Sequence, residues 1–161
     1  MHLFAQEEYG LRCLLRVARH EGPKLPTIPG IAAAEGLSPD YTAKLMRVLR
    51  QGGLVESTRG AIGGYHLTRP AGEITVWEAL EVLGGSFFPE DFCDTHPGQA
   101  RDCVHTPDCS IRALWQSVNG ALGKILKGIT LADLFPAERT SMVKFGALAA
   151  AQSKGEEVSR S

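Results

Sequence analysis

The chain has 161 residues, 43% of them hydrophobic and 22% charged, with a formal charge of −1; this is the composition of a globular protein long enough to bury its own core. No apolar run reaches bilayer length, and MHLFAQEEYG lacks a basic region followed by an apolar one, so a cytoplasmic protein without a membrane partner is expected. Residues 1–75 hold nine Lys and Arg against seven Asp and Glu, and residues 76–161 hold eight against eleven. The net charge announces no nucleic-acid binder, although this asymmetry fits a DNA-contacting half followed by a non-contacting one.

The first predicted helix runs from about Leu3 to His20, with Leu11, Leu14, Leu15 and Ala18 at helical spacing. GPKLP breaks it. A short alanine-rich helix follows over Ile28–Glu35 and stops at Gly36. After EGLS, Ser38 is placed to cap a third helix, Pro39 suits its first position, and Asp40 lies at the positive end of its dipole. Leu45, Val48 and Leu49 are its expected buried stripe, and Gly52 and Gly53 end it. Two β-prone pieces within Leu54–Thr68, LVEST and GYHLT, are joined by RGAIGG, a glycine-rich hairpin turn. Three helices followed by a hairpin is the order of a winged helix-turn-helix.

Thr75 and Glu78 form a T-x-x-E capping-box pattern before a fourth helix that ends at Gly84 or Gly85. Residues 86–109 read as irregular. From about Ser110 a long helix carries Ile111, Leu114, Trp115, Val118, Leu122, Ile125 and Leu126, an apolar seam of the kind that pairs with another helix. Thr130–Asp133 caps a last short helix, and the tail from about Gln152 reads as disordered. The expected fold class is mainly α with a small β-wing: a winged helix-turn-helix plus a long dimerisation helix. Its expected parts are a DNA-binding domain over 1–75, a cluster-binding loop and dimerisation helix over 76–135, and a C-terminal extension over 136–161.

The helix after EGLS is the candidate recognition helix. Ser38, Pro39, Tyr41, Thr42 and Lys44 face base edges and phosphates in this reading, with Arg47 one turn on. Tyr41 and Thr42 offer hydrogen bonds; Lys44 and Arg47 offer charge. Arg59 precedes the wing turn, from which an arm can enter the minor groove, and Gly63 and Gly64 belong to the same turn. Of the four cysteines, Cys13 lies inside the first helix and reads as a small core hydrophobe. Cys93, Cys103 and Cys109 lie within 17 residues, a grouping that points to a metal or redox site rather than a disulfide framework. Chemistry alone leaves zinc, a thiol switch and an iron–sulfur cluster open. No P-loop, G-x-S-x-G, H-E-x-x-H or dinucleotide fingerprint is present, which argues against an enzyme.

The stretch LSPDYTAKLMRVLRQGGLVESTRGAIGGYHLTRPAGEITVWEAL resembles the signature of the IscR/NsrR/RirA group of transcription regulators, the Rrf2 family. The shared features are the Tyr41-x-x-Lys44-Leu45 helix, the GLV-x-S-x-RG-x-x-GGY-x-L wing and the Ile74-Thr75-Val76 helix start. The likeness runs from about Leu3 to Leu134. It implies a homodimer on a palindromic double-stranded DNA operator, with the long helix pairing across the dimer. It also implies an iron–sulfur cluster on Cys93, Cys103 and Cys109, through which the regulator senses iron, nitric oxide or redox state. The gap between Cys93 and Cys103 is longer than is common in the family. IscR-like members carry a histidine three residues after the third cysteine; Arg112 stands there and cannot become a ligand. This favours [4Fe–4S] over [2Fe–2S] and places the fourth ligand elsewhere. Some relatives use a carboxylate from the partner's first helix, a position Glu8 occupies; Glu7, His96, His105, water or a small thiol compete with it. The alternative is a winged-helix regulator whose cysteines bind zinc or act as a thiol switch.

Overall fold

The first helix, α1 (Ala5–Ala18), buries Gly10, Cys13, Leu14 and Val17, one stripe at three- and four-residue spacing. This is a computed structural model, and it describes residues 5–60, 63–85, 88–89, 91–99, 101–105, 108–135, 142 and 144–147. Helix α2 (Ile28–Glu35) is capped by Thr27, whose hydroxyl accepts from the Gly30 N–H. It stops at Gly36, which takes a left-handed conformation with φ of 68°, a backbone state glycine adopts without strain.

Helix α3 (Pro39–Gln51) starts as expected, with the Ser38 hydroxyl accepting from the Tyr41 N–H at 3.2 Å. Strands β1 (Val55–Thr58) and β2 (Gly64–Leu67) form an antiparallel pair in the register Val55–Leu67, Glu56–His66, Ser57–Tyr65 and Thr58–Gly64. The Tyr65 N–H reaches outward to the Pro26 carbonyl at 2.9 Å, tying the base of the wing to the segment before α2.

Helix α4 (Val76–Gly84) begins at Thr75, whose hydroxyl accepts from the Glu78 N–H at 3.1 Å. The expected reciprocal half of that capping box is replaced, because the Glu78 carboxylate pairs with the Arg69 guanidinium. Residues 86–109, expected to be irregular, contain one helical turn, α5 (Phe92–Thr95). Helix α6 (Ser110–Lys127) follows, then a 3-10 turn over Leu131–Leu134. That turn has a complete capping box between Thr130 and Asp133. The Lys144 ammonium and the Thr130 N–H beside Asp133 hold its carboxyl below the usual carboxylate range.

One core joins these elements. It unites Leu14 and Val17 of α1, Ile31 of α2, Leu45, Met46 and Leu49 of α3, Leu54 and Val55 of the wing, Ile74, Leu83 of α4, and Leu131. The end of α6 is stitched to the start of α4 by two backbone bonds, Val76 N–H to the Ile129 carbonyl and Leu131 N–H to the Ile74 carbonyl. Helix α6 approaches α4 at Gly123, where a Cβ would stand 3.5 Å from the Trp77 ring. Of the rest of its apolar seam, Val118, Leu122, Ile125 and Leu126 are half-buried, while Ile111 is 61% exposed, Leu114 56% and Trp115 40%.

Candidate nucleic-acid interface and cysteine loop

Helix α3 has two unlike faces. Thr42, Leu45, Met46 and Leu49 are buried, while Ser38, Pro39, Asp40, Lys44, Arg47 and Arg50 are exposed. The expectation that Thr42 faces DNA is corrected here. Its side chain is fully buried and its hydroxyl donates to the Ser38 carbonyl at 3.0 Å. Position 42 precedes Leu45 by three residues and Met46 by four, so it falls on the core stripe. Tyr41 is half-buried, with its ring edge-on to Tyr9 of α1 at 6.2 Å between centroids. Arg50 was missed by the sequence reading; it lies one turn beyond Arg47, and its exposure follows from the same periodicity.

In the wing, Arg59 is exposed and Gly60 has a φ of 114°. Gly63 and Gly64 have a different reason to be glycine from contact with DNA. A Cβ on Gly63 would lie 2.4 Å from the Thr58 carbonyl oxygen, and one on Gly64 would lie 2.5 Å from that of Pro26. Both distances are far inside van der Waals contact, so the two residues let the hairpin close and β2 pass the segment before α2. The exposed α3 face and the wing are thus built separately and share one core.

At the other end of α1, Gln6 donates to the Leu83 carbonyl and the Glu7 carboxylate packs against Gly84, where α4 ends and the cysteine segment begins. One Glu7 oxygen, Oε2, is buried with no hydrogen-bond partner among the described residues. Glu8 is exposed. Arg12 and Arg16 converge on Glu35 at 3.1 and 3.3 Å, fixing α1 to the end of α2.

Cys93, Cys103 and Cys109 are each half-buried, and none of them forms a disulfide. Cys93 lies in α5, beside an aromatic stack in which Phe88, Phe92 and His96 follow one another at 5.1 and 4.6 Å. Cys109 caps α6, and its sulfur accepts from the Arg112 N–H at 3.4 Å; a thiolate at a helix N-terminus gains from the dipole. The three donors are of the right kind for a soft metal or an iron–sulfur cluster. Their arrangement does not fit one as it stands: among the described residues no three His, Cys, Asp or Glu side chains are grouped to hold a metal. Cys13 is buried in the core, where burial and then the Glu35 carboxylate push its thiol up to about 11. It is therefore an inert packing residue, as expected. No helix among the described residues is long and apolar enough to cross a membrane.

Comparison with known proteins agrees with this architecture. Residues 3–137 match the family model of Rrf2, described as an iron-dependent transcriptional regulator. The chain is 36% identical over 134 residues to the protein rrf2 of Nitratidesulfovibrio vulgaris strain Hildenborough, covering 83% of this chain and 87% of that one. It is similar to the solved structure of IscR from T. potens, with 32% identity and a TM-score of 0.64 over 83% of this chain and 85% of that one. It is similar also to CymR, the global cysteine regulator of Bacillus subtilis, with 29% identity and a TM-score of 0.66 over 83% and 95%. With its capped third helix, its wing and this span of likeness, the chain belongs to the Rrf2 family of winged-helix, DNA-binding transcription regulators.

Proposed function

We propose that this regulator acts in the cytoplasm as a homodimer on a palindromic operator, which it reads with Ser38, Pro39, Tyr41, Lys44 and Arg47 of α3 and with Arg59 of the wing. The observation that carries the reading is the two-faced α3, whose polar face stands exposed beside a hairpin bearing an exposed arginine at its tip. Helix N-termini and arginine-bearing wings approach the major and minor grooves in this way. The uncovered Ile111, Leu114 and Trp115 on α6 supply the dimer contact, and the twofold axis of the dimer makes the operator a palindrome. The span 1–75 is the DNA-reading part, 76–135 the sensing and pairing part, and 136–161 an extension.

The sensor is the segment of Cys93, Cys103 and Cys109. In this reading the three thiolates hold an iron–sulfur cluster, [4Fe–4S] in preference to [2Fe–2S], and iron supply, nitric oxide or redox state is the signal. The family's description as iron-dependent supports it. A cluster would supply a redox-active, nitric-oxide-reactive group, and its fourth ligand is assigned to Glu8 from the partner subunit, which the exposure of Glu8 permits. The competing reading is zinc binding or a thiol switch on the same cysteines; the ungrouped arrangement of the three sulfurs and the likeness to CymR support the thiol switch, whereas zinc needs grouped donors as a cluster does. The experiment that tests the DNA-binding reading is selection from a random duplex library. Enrichment of a palindrome, lost in the Lys44→Ala/Arg47→Ala variant, is expected. Enrichment of asymmetric sites, or a palindrome bound equally by that variant, would contradict it.

A further inference from the structure

The turn between α2 and α3 is held from both sides by one side chain of α1. Arg12 donates from Nε to the Glu35 carboxylate at 3.1 Å and from Nη2 to the Glu35 backbone carbonyl at 3.1 Å. That carbonyl is among the last four of α2, which have no acceptor role left inside the helix. The guanidinium also lies over the Tyr9 ring, 5.5 Å from its centroid, and Tyr9 meets Tyr41 edge-on. Glu35 ends α2, and Tyr41 lies in the first turn of α3. Arg12 thus touches the residue before the turn directly and the residue after it through one ring. The Glu35 side chain is only 15% exposed, so its end of the clamp is set in the protein rather than in solvent. Arg16 meets the same carboxylate at 3.3 Å, without the backbone bond or the ring contact among the described residues.

We infer that Arg12 is a positioning residue for sequence recognition, acting through Glu35 and Tyr9 on the angle at which α3 meets DNA. This role rests on the α3 reading above. At about 1.5 Å of rise per residue, Arg47 stands about 12 Å along the axis from Pro39, and a tilt of about 10° at the turn displaces it by about 2 Å. Hydrogen bonds to base edges tolerate about half an ångström. Phosphate contacts made by long side chains can follow such a shift, and they carry no sequence information. Loosening the clamp therefore costs discrimination between sequences and spares the general attraction to DNA. Lysine at position 12 keeps the charge, but it lacks the planar fork that bonds a carboxylate and a carbonyl while lying against a ring.

The test compares the full-length wild type with Arg12→Lys, Tyr9→Leu, Tyr9→Phe and Arg16→Lys. Anisotropy gives the affinity of each for the palindrome selected from the library and for a scrambled duplex. Arg12→Lys and Tyr9→Leu should lower the ratio of the two affinities at least fivefold, with scrambled-duplex affinity and its salt slope unchanged. Tyr9→Phe, which keeps the ring, and Arg16→Lys should stay within twofold of wild type. Tyr9→Leu gives an independent check should Arg12→Lys fail to fold. A smaller loss, an equal loss on both duplexes, or a loss as large in Tyr9→Phe or Arg16→Lys would overturn the role. A salt slope lowered by about 1 in Arg12→Gln and restored in Arg12→Lys would make Arg12 a phosphate contact instead. Amide hydrogen exchange without DNA should quicken at least fivefold over Gly36–Tyr41 in Arg12→Lys, and unchanged exchange would also overturn the role. A wild type that selects no sequence would count against the DNA-binding reading, and the exchange result would then decide by itself whether Arg12 sets the turn.

Discussion

Leu114→Glu should dissociate the dimer without unfolding the chain. Ile111, Leu114 and Trp115 keep 61%, 56% and 40% of their surface exposed in the single chain. Fully burying an aliphatic side chain is worth roughly 1.5–3 kcal/mol, so covering about half of each gives roughly 1 kcal/mol per side chain. In the proposed dimer six such side chains would meet across a twofold axis, giving about 6 kcal/mol toward an association that costs on the order of 4–15 kcal/mol in lost freedom. The seam would thus supply a large part of what holds the proposed dimer. Leu114→Glu removes about 1 kcal/mol per subunit and places a carboxylate in the seam, at a further cost of about 1–3 kcal/mol each. The total of at least about 4 kcal/mol weakens the dimer roughly a thousandfold. Sedimentation equilibrium measures this directly. Circular dichroism should show unchanged helix content, because the side chain is more than half exposed in the single chain. A dimer constant within threefold of wild type would refute the argument and move the interface off this face.

Four further outcomes follow from where these residues sit. Thr42→Val should lower stability by about 1 kcal/mol, the worth of one buried hydrogen bond, with no change in the salt dependence of operator binding. Lys44→Ala and Arg47→Ala should each lower that salt slope by about 1; anisotropy titrations across a salt series separate the two cases. Gly64→Ala should cost on the order of 1–3 kcal/mol through overpacking against the Pro26 carbonyl, read as a lowered thermal midpoint, and an unchanged midpoint would mean that the backbone yields there. Cys13 has a thiol near 11, so at pH 8 about one in a thousand is thiolate. Metal-free native protein should therefore release three thiols quickly to Ellman's reagent and the fourth only on denaturation. The raised value also sets a sign: the unfolded chain ionises Cys13 first, so its contribution to stability is present below the ordinary thiol range and is lost as pH rises toward 11.

Much of the architecture was legible because its signals are local. Thr27 escaped notice as the cap of α2, but Gly36, Ser38, Pro39 and the alternation of GYHLT act within a turn or two of themselves. The bounds of α2 and α3 and the order of the wing follow from them. What escaped the reading depends on partners distant in sequence. Glu78 abandons its capping role because Arg69 reaches it across the turn. Gly63 and Gly64 are glycine because backbone passes within 2.5 Å of where their Cβ atoms would be. Thr42 is the instructive middle case: its hydroxyl suggested DNA, while its spacing to Leu45 and Met46 already placed it in the core. The seam of α6 was readable as one that pairs with another helix, because its apolar spacing is local. The cysteine segment was readable only as a donor set, because three thiols take their final geometry from whatever they bind.

The most direct test of the central claim combines two readings on one anaerobic preparation. Iron, acid-labile sulfide and zinc are quantified, and operator affinity is then measured at matched salt before and after the metal is removed. The account predicts iron with equivalent sulfide, a content lost in Cys93→Ala, and a change in operator affinity of about 5- to 150-fold on removal, the usual range of coupling between sites. Zinc without sulfide, protein that resists reconstitution with iron and sulfide, or equal affinity of the loaded and stripped forms would contradict it.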